Sequence, residues 1–383
     1  MGSEDSVKKA ESLPLSWSAA VHRREFLKTI PALSTIPALS TIPALSTSSG
    51  LSTSSGLSTS SGLSAAAEFT PGGQTSADQQ FGDLIMRRTR SDHFQMIFQP
   101  REPRPLRLLQ LTDTHFHPGD DTNRATEVML KQIVDQHQPD FIVHTGDFVN
   151  NDSDKLVEWT GMEILNGLGR PWTLCFGNHD YPVRNAPGAK SLEEIRLAMK
   201  DGFQGYIDTE NTRSYCYRYD LHTDSDLPPN ACLFFFQVGY AEGDRRISDI
   251  QLSWFEQQLK LDHQHDVNAP ITVFVHIPLI EYRDLFDSGK AIGQKGEDVC
   301  FDSDTGRSFE LFQKSGRVAG VFCGHDHVNN YFGPWKDIQL VYGRVSGWGG
   351  YGPKDWKRGG RLITIDLNSP KALQDFSEVY PTL

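Results

Sequence analysis

Cysteine, net positive charge and long apolar runs are all scarce in this sequence of 383 residues. Its 5 cysteines leave at least one thiol unpaired. The formal charge of −12 argues against a general nucleic-acid binder, which normally presents a basic face. No uninterrupted apolar run is long enough to span a bilayer. The length that follows the amino-terminal region fits one sizeable α/β core.

Four of the cysteines fall in strand-like runs. Cys175 and Cys323 end such runs and are predicted to be buried thiols. Cys216 and Cys232 lie in two runs that could be neighbours in a sheet. The sequence leaves open whether they form a disulfide, which would require an oxidising compartment.

The first 75 residues are low in complexity. A hexapeptide, Thr-Ile-Pro-Ala-Leu-Ser, is repeated over Thr29–Ser46, and Thr-Ser-Ser-Gly-Leu-Ser is repeated over Thr47–Ser64. Ser, Gly and Pro at this density cannot bury enough surface to fold. Upstream, Arg23–Lys28 resembles a twin-arginine export signal, and Ala65–Ala67 is a small-residue candidate for cleavage.

The amino-terminal pattern predicts export by the twin-arginine machinery to the periplasm or the exterior. A cytoplasmic protein with a disordered tail is the alternative. We therefore divide the chain into an export signal with repeats (1–67), a lead-in segment (68–104) and a catalytic domain (105–383).

Five short polar segments each follow an apolar, β-branched or aromatic run. Such runs predict buried strands, so the polar segments lie where strands end, which is where sheet enzymes place their chemistry. Residues i and i+2 of a strand point to the same face and can converge on one centre. The segments are Asp113-Thr114-His115, Gly146-Asp147, Gly177-Asn178-His179-Asp180, His276 and Gly324-His325-Asp326-His327. Imidazole and carboxylate suit Zn, Fe and Mn, so the pattern predicts a metal centre.

The order of these segments resembles the calcineurin-like metallophosphoesterase superfamily. The stretches His276–Tyr282, Phe322–Asn329 and Tyr342–Arg344, with Gly349–Gly352, resemble one branch of it. That branch holds the fungal dose-dependent cell-cycle regulator phosphatases and the plant purple-acid-phosphatase-like proteins. The similarity covers about residues 105–367.

The resemblance implies a binuclear centre of divalent or mixed-valence Fe, Zn or Mn. It assigns Asp113, His115, Asp147 and His327 to one metal, and Asp147, Asn178, His276 and His325 to the other. Asp147 would bridge the pair, and a metal-activated water would be the nucleophile. His179 would face the leaving-group oxygen as a proton donor or charge stabiliser.

Other residues near the motifs have competing interpretations. Asp180 either orients His179 or is an Asx-turn or cap residue. Arg344 and Tyr351 either contact substrate phosphate or belong to a plain surface loop. Purple acid phosphatases have a metal-binding tyrosine where this chain has Asn150, so the purple colour is not expected.

Two further histidines near the motifs are assigned no role in the site. His117 is predicted to be a solvated loop residue. His144 is predicted to be a strand residue packed against a helix.

The family resemblance implies a four-layer α/β/β/α sandwich with two mixed sheets. Helical patterns at 126–137, 154–168 and after the capping box at Ser248–Gln251 alternate with the early strands. Later strand-like runs, such as 338–345 and 361–367, lack intervening long helices. Residues 181–212 are predicted to be an insertion after the G-N-H-D motif.

The sequence therefore predicts an enzyme that hydrolyses phosphate esters, with phosphomonoesters favoured. Its substrate would be a phosphorylated small molecule or a phosphoprotein. A phosphodiesterase acting on nucleotides or lipid head groups is one alternative. A metal-stabilised binding protein without turnover is the alternative from another class.

Overall fold

The computed structural model describes residues 78–90, 92–117, 121–150, 161–180, 216–237 and 245–382. The predicted export signal, the repeats, the insertion at 181–212 and part of the predicted helix at 154–168 lie outside the described residues. Among the helices within these ranges, none combines the length and apolarity needed to cross a membrane.

Among the described residues, four strands come first, helices occur only between the fourth and the tenth strand, and the last five elements are strands. In chain order the described elements are β1 (Gln79–Phe81), β2 (Leu84–Arg90), β3 (His93–Phe98), β4 (Leu106–Leu111), α1 (Asp121–His137), β5 (Phe141–His144), α2 (Met162–Asn166), β6 (Trp172–Leu174), β7 (Cys216–His222), β8 (Ala231–Phe236), α3 (Asp249–Gln264), β9 (Ile271–Val275), α4 (Glu281–Asp287), α5 (Arg307–Ser315), β10 (Val318–Cys323), β11 (Phe332–Trp335), β12 (Ile338–Tyr342), β13 (Gly360–Ile365) and β14 (Leu373–Val379).

Two mixed sheets form the framework. The larger has the order β1-β2-β3-β7-β8-β9-β10-β12-β11, with β8, β9, β10 and β12 running parallel. The smaller has the order β14-β13-β4-β5-β6, with β4, β5 and β6 parallel. These sheets confirm the predicted α/β class with two mixed sheets.

Apolar side chains pack on both faces of each sheet. One cluster joins alternate residues of the two sheets, such as Phe141 and Phe274. A second packs the larger sheet against helices through residues such as Phe255 and Phe312. A third packs the smaller sheet against α1 and α2 through residues such as Leu130. The parallel strands are buried on both faces, which explains why they appear in the sequence as continuous apolar runs.

The five strands predicted before the polar motifs are all present, as β4, β5, β6, β9 and β10. The capping box is also confirmed: the Ser248 hydroxyl accepts from Gln251 N, and the Gln251 side chain accepts from Ser248 N. The lead-in segment holds a feature that the sequence analysis did not predict. Its strands β1, β2 and β3 extend the larger sheet, where β3 pairs in parallel with β7.

The possible disulfide between Cys216 and Cys232 is not formed, and all five cysteines are free thiols. The two residues do lie on neighbouring antiparallel strands. However, Cys216 is opposite Phe236, whereas Cys232 is opposite Asp220. The register therefore separates the thiols along the strands, and Cys175 and Cys323 are buried as predicted.

Candidate metal centre

The polar segments that end the central strands converge at one edge of the two sheets. They bring together two groups of three residues. Within each group, the potential ligand atoms lie within 4.8 Å of one another. The first group is Asp113, His115 and His327, and the second is Asp147, His276 and His325. Each group thus combines residues from early and late motifs of the sequence. The early motifs follow β4 and β5 of the smaller sheet, and the late motifs follow β9 and β10 of the larger sheet.

Asp147 is a member of the second group and also lies close to the first. Its Oδ2 is 3.6 Å from His115 Nε2 and 3.2 Å from His276 Nε2. A carboxylate in this position can share its charge between two cations. The bridging role of Asp147 stays a prediction, which these distances permit.

The imidazole nitrogens within each group also approach closely. His115 Nε2 is 3.1 Å from His327 Nε2, and His276 Nε2 is 3.2 Å from His325 Nδ1. Nitrogens that converge on one point in this way suit a shared cation, since neutral imidazole is the commonest metal ligand.

The backbone of four predicted ligands has the left-handed conformation, which side chains rarely adopt. Asp113, His115, Asp147 and His325 have φ values of 54°, 46°, 50° and 76°. Such strain clusters at ligand-binding sites when the surrounding structure enforces it. The turns after the strands therefore aim these side chains inward at a conformational cost.

Two glycines leave room for the ligands. A Cβ atom at Gly177 would lie 2.3 Å from Asp147 Oδ1, and one at Gly350 would lie 2.3 Å from His327 Cε1. Any side chain at either position would displace a predicted ligand. Glycine is therefore required at these positions, because the backbone approaches Asp147 and His327 too closely to leave room for a Cβ atom.

Hydrogen bonds fix the tautomers of two ligand histidines. His276 Nδ1 donates to the carbonyl of Thr145 at 2.7 Å, and His327 Nδ1 donates to the carbonyl of Tyr351 at 2.9 Å. In each ring Nε2 is left pointing into the centre. Outer hydrogen bonds of this kind orient the imidazole of a metal ligand and increase its basicity.

The electrostatics of the centre favour ionised acids, two neutral imidazoles and one protonated imidazole. Burial opposes ionisation of Asp113, but hydrogen bonding to His327 and the neighbouring histidines outweigh it and lower the pKa. Burial lowers the pKa of His115 to about 3 and that of His325 to about 3, which leaves both rings neutral. Burial also opposes charge on His276, yet Asp147 raises its pKa to about 10.

These groups fit metal ions. Asn178 Oδ1 is buried and has no hydrogen-bond partner, and Asp113 Oδ1 is buried and faces His327 Nε2 at 3.4 Å, so each oxygen can bind a cation. The proton that Asp147 stabilises on His276 also occupies a position that a divalent ion can take. Carboxylate oxygen, amide oxygen and imidazole nitrogen together form a donor set for Zn, Fe or Mn.

His179 lies at the open side of the centre. Its backbone N donates to Asp147 Oδ1 at 2.9 Å, and its Nε2 is 4.0 Å from Asp147 Oδ2. The side chain is 28% exposed, whereas that of Asp147 is 3% exposed. His179 is therefore adjacent to the predicted ligands and accessible to a molecule that arrives from solvent.

The hydrogen bonds of Asp180 are to backbone N–H groups of the neighbouring loops. Its Oδ1 accepts from the backbone N of Phe148 and Val149, and its Oδ2 accepts from Gly177 N at 2.7 Å. Burial, with the charge of Asp147, raises the pKa of Asp180 to about 7. These bonds tie the G-D loop to the G-N-H-D loop and so position Asp147 relative to Asn178.

Arg344 does not present its guanidinium group to the centre, in contrast to the suggested phosphate contact. It is buried, donates through Nε to Lys357 O at 2.6 Å and lies over the ring of Trp356 at 4.3 Å. The glycine-rich stretch turns after β12, and this turn directs Arg344 into the carboxyl-terminal segment.

Tyr351 lies beside the centre. Its ring stacks on His327 with centroids 3.8 Å apart, and its hydroxyl donates to Glu297. Its exposed fraction of 53% leaves the outer face open at the mouth of the site.

The histidines without a predicted metal role support the surrounding loops. His144 Nε2 is 3.0 Å from Thr114 Oγ1, and burial lowers the pKa of His144 to about 3. His117 is a loop residue as predicted and is partly exposed, with Asn150 Nδ2 at 3.0 Å from its Nε2.

Several residues that support the ligands were missed by the sequence analysis. Thr112 Oγ1 donates to Asp113 Oδ2 at 2.7 Å, and Tyr342 donates to Asp326 Oδ2 at 2.7 Å. Asp326 also accepts from Cys300 N, and burial raises its pKa to about 7. Thr112 is adjacent to a motif, Asp326 is within one and Tyr342 is in a stretch with family resemblance, so these three positions could have been noticed in the sequence. Cys300 depends on a distant loop.

Comparison with known proteins agrees with this geometry. The sequence profile of the calcineurin-like phosphoesterase family matches residues 106–329, and the chain belongs to that family. The match spans the polar motifs from Asp113 to His327. It confirms the resemblance proposed from the motifs, and membership implies metal ions and phosphorylated substrates.

Individual relatives are similar at low identity. "Probable inactive purple acid phosphatase 28" of Arabidopsis thaliana is 29% identical over 310 residues, which are 70% of this chain and 77% of that protein. "Phosphatase DCR2" of Saccharomyces cerevisiae is 23% identical over 261 residues, 59% of this chain and 44% of that protein. A dimetal phosphatase structure from Danio rerio aligns with 73% of this chain and 99% of its own, at a TM-score of 0.49 and 13% identity.

Proposed function

We propose that this chain is a binuclear metal-dependent phosphomonoesterase. The single observation that carries the proposal is the position of Asp147 between the two groups, with Oδ2 within 3.6 Å of His115 Nε2 and 3.2 Å of His276 Nε2. Two cations of Fe, Zn or Mn bound by these groups would activate a water and neutralise charge on the phosphoryl group.

The residues of the chain have distinct tasks in this proposal. The Asp113 and Asp147 carboxylates and the four ligand histidines hold the cations and exclude bulk water from the inner side. Asn178 adds an amide oxygen. His179, half-exposed and next to Asp147, donates a proton to the leaving oxygen, because it lies on the side that substrate can reach.

The preference for monoesters is the finer part of the proposal. It is supported by the phosphatase names of the relatives, which describe those proteins. A phosphodiesterase with the same metals and a differently shaped pocket is the enzyme alternative. Tyr351, at the mouth of the site, is proposed to contact substrate through its exposed face.

A non-catalytic metal-stabilised binding protein is the second candidate. The plant relative is named "probable inactive", and this observation favours that candidate. The complete donor set and the accessible His179 favour turnover instead.

The test uses the purified full chain, loaded in parallel with Fe, Zn or Mn and checked by elemental analysis. Nitrophenyl phosphate and bis-nitrophenyl phosphate distinguish monoester from diester hydrolysis, with D147N as the control. Turnover of the monoester that requires two metals and is lost in D147N supports the proposal. Two bound metals without turnover of either ester would favour the binding protein.

We also propose export. The support is the Arg23-Arg24 pair before Phe26 and Leu27, together with the low-complexity repeats of residues 1–67. Replacing both arginines by lysine should retain the precursor in the cytoplasm. Unchanged location on fractionation would favour a cytoplasmic protein with a disordered tail.

A further inference from the structure

A cavity of about 660 Å³ lies apart from the metal centre, between α1 and the carboxyl-terminal segment. Its size is within the range of ligand pockets. Val128, Met129, Trp348 and Tyr380 line it with apolar surface, and none of its described lining residues is a predicted metal ligand. Val128 and Trp348 are 47% and 37% exposed, which leaves their apolar surface available to a ligand.

One loop lies beside both this cavity and the metal centre. Trp348 lines the cavity, and its backbone N donates to Thr126 Oγ1 of α1 at 3.2 Å. Two residues later, Gly350 packs against His327. The same segment thus contributes to both the cavity and the centre, while the described residues that line the cavity include no predicted metal ligand.

The charged residues of the cavity favour an anion. Arg124, Lys357 and Arg358 line it, against one acid, Asp121. The net charge on these four side chains is positive. An organic molecule with a negative head and an apolar body matches both the charge and the apolar walls.

Arg358 provides independent support for a missing partner. It is only 4% exposed, and its Nη2 donates to Tyr351 O at 3.2 Å. Its Nε and Nη1 atoms are buried and have no hydrogen-bond partner. Buried donors without acceptors are costly, and a guanidinium fork suits a carboxylate, sulfonate or phosphate. Burial lowers the pKa of Arg358, and the charge of Arg344 adds to this effect, so a nearby negative charge would be stabilising.

We propose that this cavity binds an amphipathic organic anion. The head of the ligand pairs with Arg358, with Arg124 and Lys357 nearby. The apolar body lies against Val128, Trp348 and other apolar walls. This inference does not depend on the proposed hydrolysis, because its test measures binding.

The test uses two fluorescent probes with the metal-loaded full chain. Anilinonaphthalene sulfonate has an aromatic body and a negative head, and phenylnaphthylamine has a similar body without the charge. We expect the sulfonate to bind about tenfold more tightly than the neutral probe, and decanoate to displace it. Equal Kd values for the two probes would overturn the role of the anion.

A matched pair of variants locates the binding. V128W fills the cavity from an exposed helix position and should weaken sulfonate binding by about tenfold or more. I250W introduces the same side chain at a position of α3 that is 45% exposed and should leave binding unchanged. Equal binding to the two variants would place the probe elsewhere and refute the proposal. V128W should keep the basal phosphatase activity, since Val128 does not contact the predicted ligands.

R358M tests the charge directly. It should lower sulfonate affinity to the level of the neutral probe and leave the neutral probe unaffected. Arg358 and His327 donate to the same Tyr351 carbonyl, so activity is not the readout for this variant. If R358M fails to fold by circular dichroism, K357M replaces it, with a smaller loss expected. Unchanged sulfonate binding in a folded variant contradicts the proposal.

Discussion

Two pairs of buried acids in this molecule have pKa values that are shifted in opposite directions. Asp113 and Asp147 in the metal centre are 1% and 2% exposed, and Glu281 and Asp304 at the start of α4 are each 8% exposed. All four carboxyl groups are removed from water. Their behaviour differs because of what surrounds them.

In the metal centre, burial opposes the charge on Asp147, but the neighbouring histidines outweigh it and hold its pKa well below the usual range. Near α4, burial raises the pKa of Glu281 to about 7 and raises that of Asp304 as well. Among the described residues, neither Glu281 nor Asp304 forms a salt bridge. Burial alone therefore favours a neutral acid, whereas burial with converging imidazoles creates an ionised acid that suits a cation.

The largest effect is expected from D147N, which disrupts the pair of acids in the metal centre. D147N removes the charge that both groups share, so both metals should be lost in large part. Activity should fall by more than the ~10²–10⁴-fold that one proton-transfer group contributes. Elemental analysis and nitrophenyl phosphate hydrolysis measure the two effects. E281Q is the matched control, because it neutralises a buried acid away from the centre, and two metals retained in D147N would refute the bridging role.

The next effect concerns His179, on the exposed side of Asp147. H179A should keep both metals and lower kcat by ~10²–10⁴-fold for poor leaving groups. The loss should be smaller for nitrophenyl phosphate, whose leaving group needs little protonation. H117A, at a half-buried histidine without a metal role, should show no leaving-group dependence. Equal losses across the series for H179A, with metals intact, would exclude proton donation.

The second acid pair predicts a dependence of stability on pH. The pKa of Glu281 in the folded protein is raised from its ordinary 4.5 to about 7, so the folded state binds the proton more tightly. The contribution of Glu281 to the free energy of unfolding is therefore largest below pH 4.5, and it is lost as the pH rises to about 7. E281Q lacks this loss, and above pH 7 it should be more stable by on the order of 1 kcal/mol, or about 2–4 °C in Tm.

Thermal melts of the metal-loaded protein from pH 4 to pH 8 measure this difference. D298N provides the control, since the Asp298 side chain is fully exposed and Asp298 is not among the charges that shift the pKa of Glu281. It should follow the profile of the unaltered protein. If E281Q and the unaltered protein melt in parallel at every pH, burial does not hold Glu281 neutral.

The smallest expected effect is spectroscopic. Asn150 stands where purple acid phosphatases carry the tyrosine ligand, and its amide donates to His117. Protein loaded with ferric iron should therefore have no tyrosinate charge-transfer band in its visible absorption. Tyr351 stacks on His327, so Y351F is the control. A band that disappears in Y351F would show that tyrosine replaces a predicted ligand.

Much of the metal centre could be predicted from the sequence. The apolar runs before Asp113, Asp147 and His276 determine buried strands, because only a strand with both faces covered is continuously apolar. Imidazole, amide and carboxylate groups at the ends of those strands predict a site for Zn, Fe or Mn. The local capping box at Ser248 was also predictable, since both of its hydrogen bonds join residues close in sequence.

Other features required contacts between distant parts of the chain. The sequence could not show that Arg344 stacks on Trp356, or that Asp180 binds the loop of Phe148. Both depend on how loops fold over one another. The position of β3 beside β7 is likewise a long-range pairing that no local pattern specifies.

The sequence by itself determined the family and the order of the predicted ligands, because these depend on residue types at fixed spacing after strands. Only the tertiary structure decided which ligands share a group, since that depends on two sheets meeting at one edge. It also decided that Cys216 and Cys232 stay apart, through the register of β7 and β8. The protonation of buried acids was decided there too, because a carboxylate stays ionised or becomes neutral according to the charges that packing places around it.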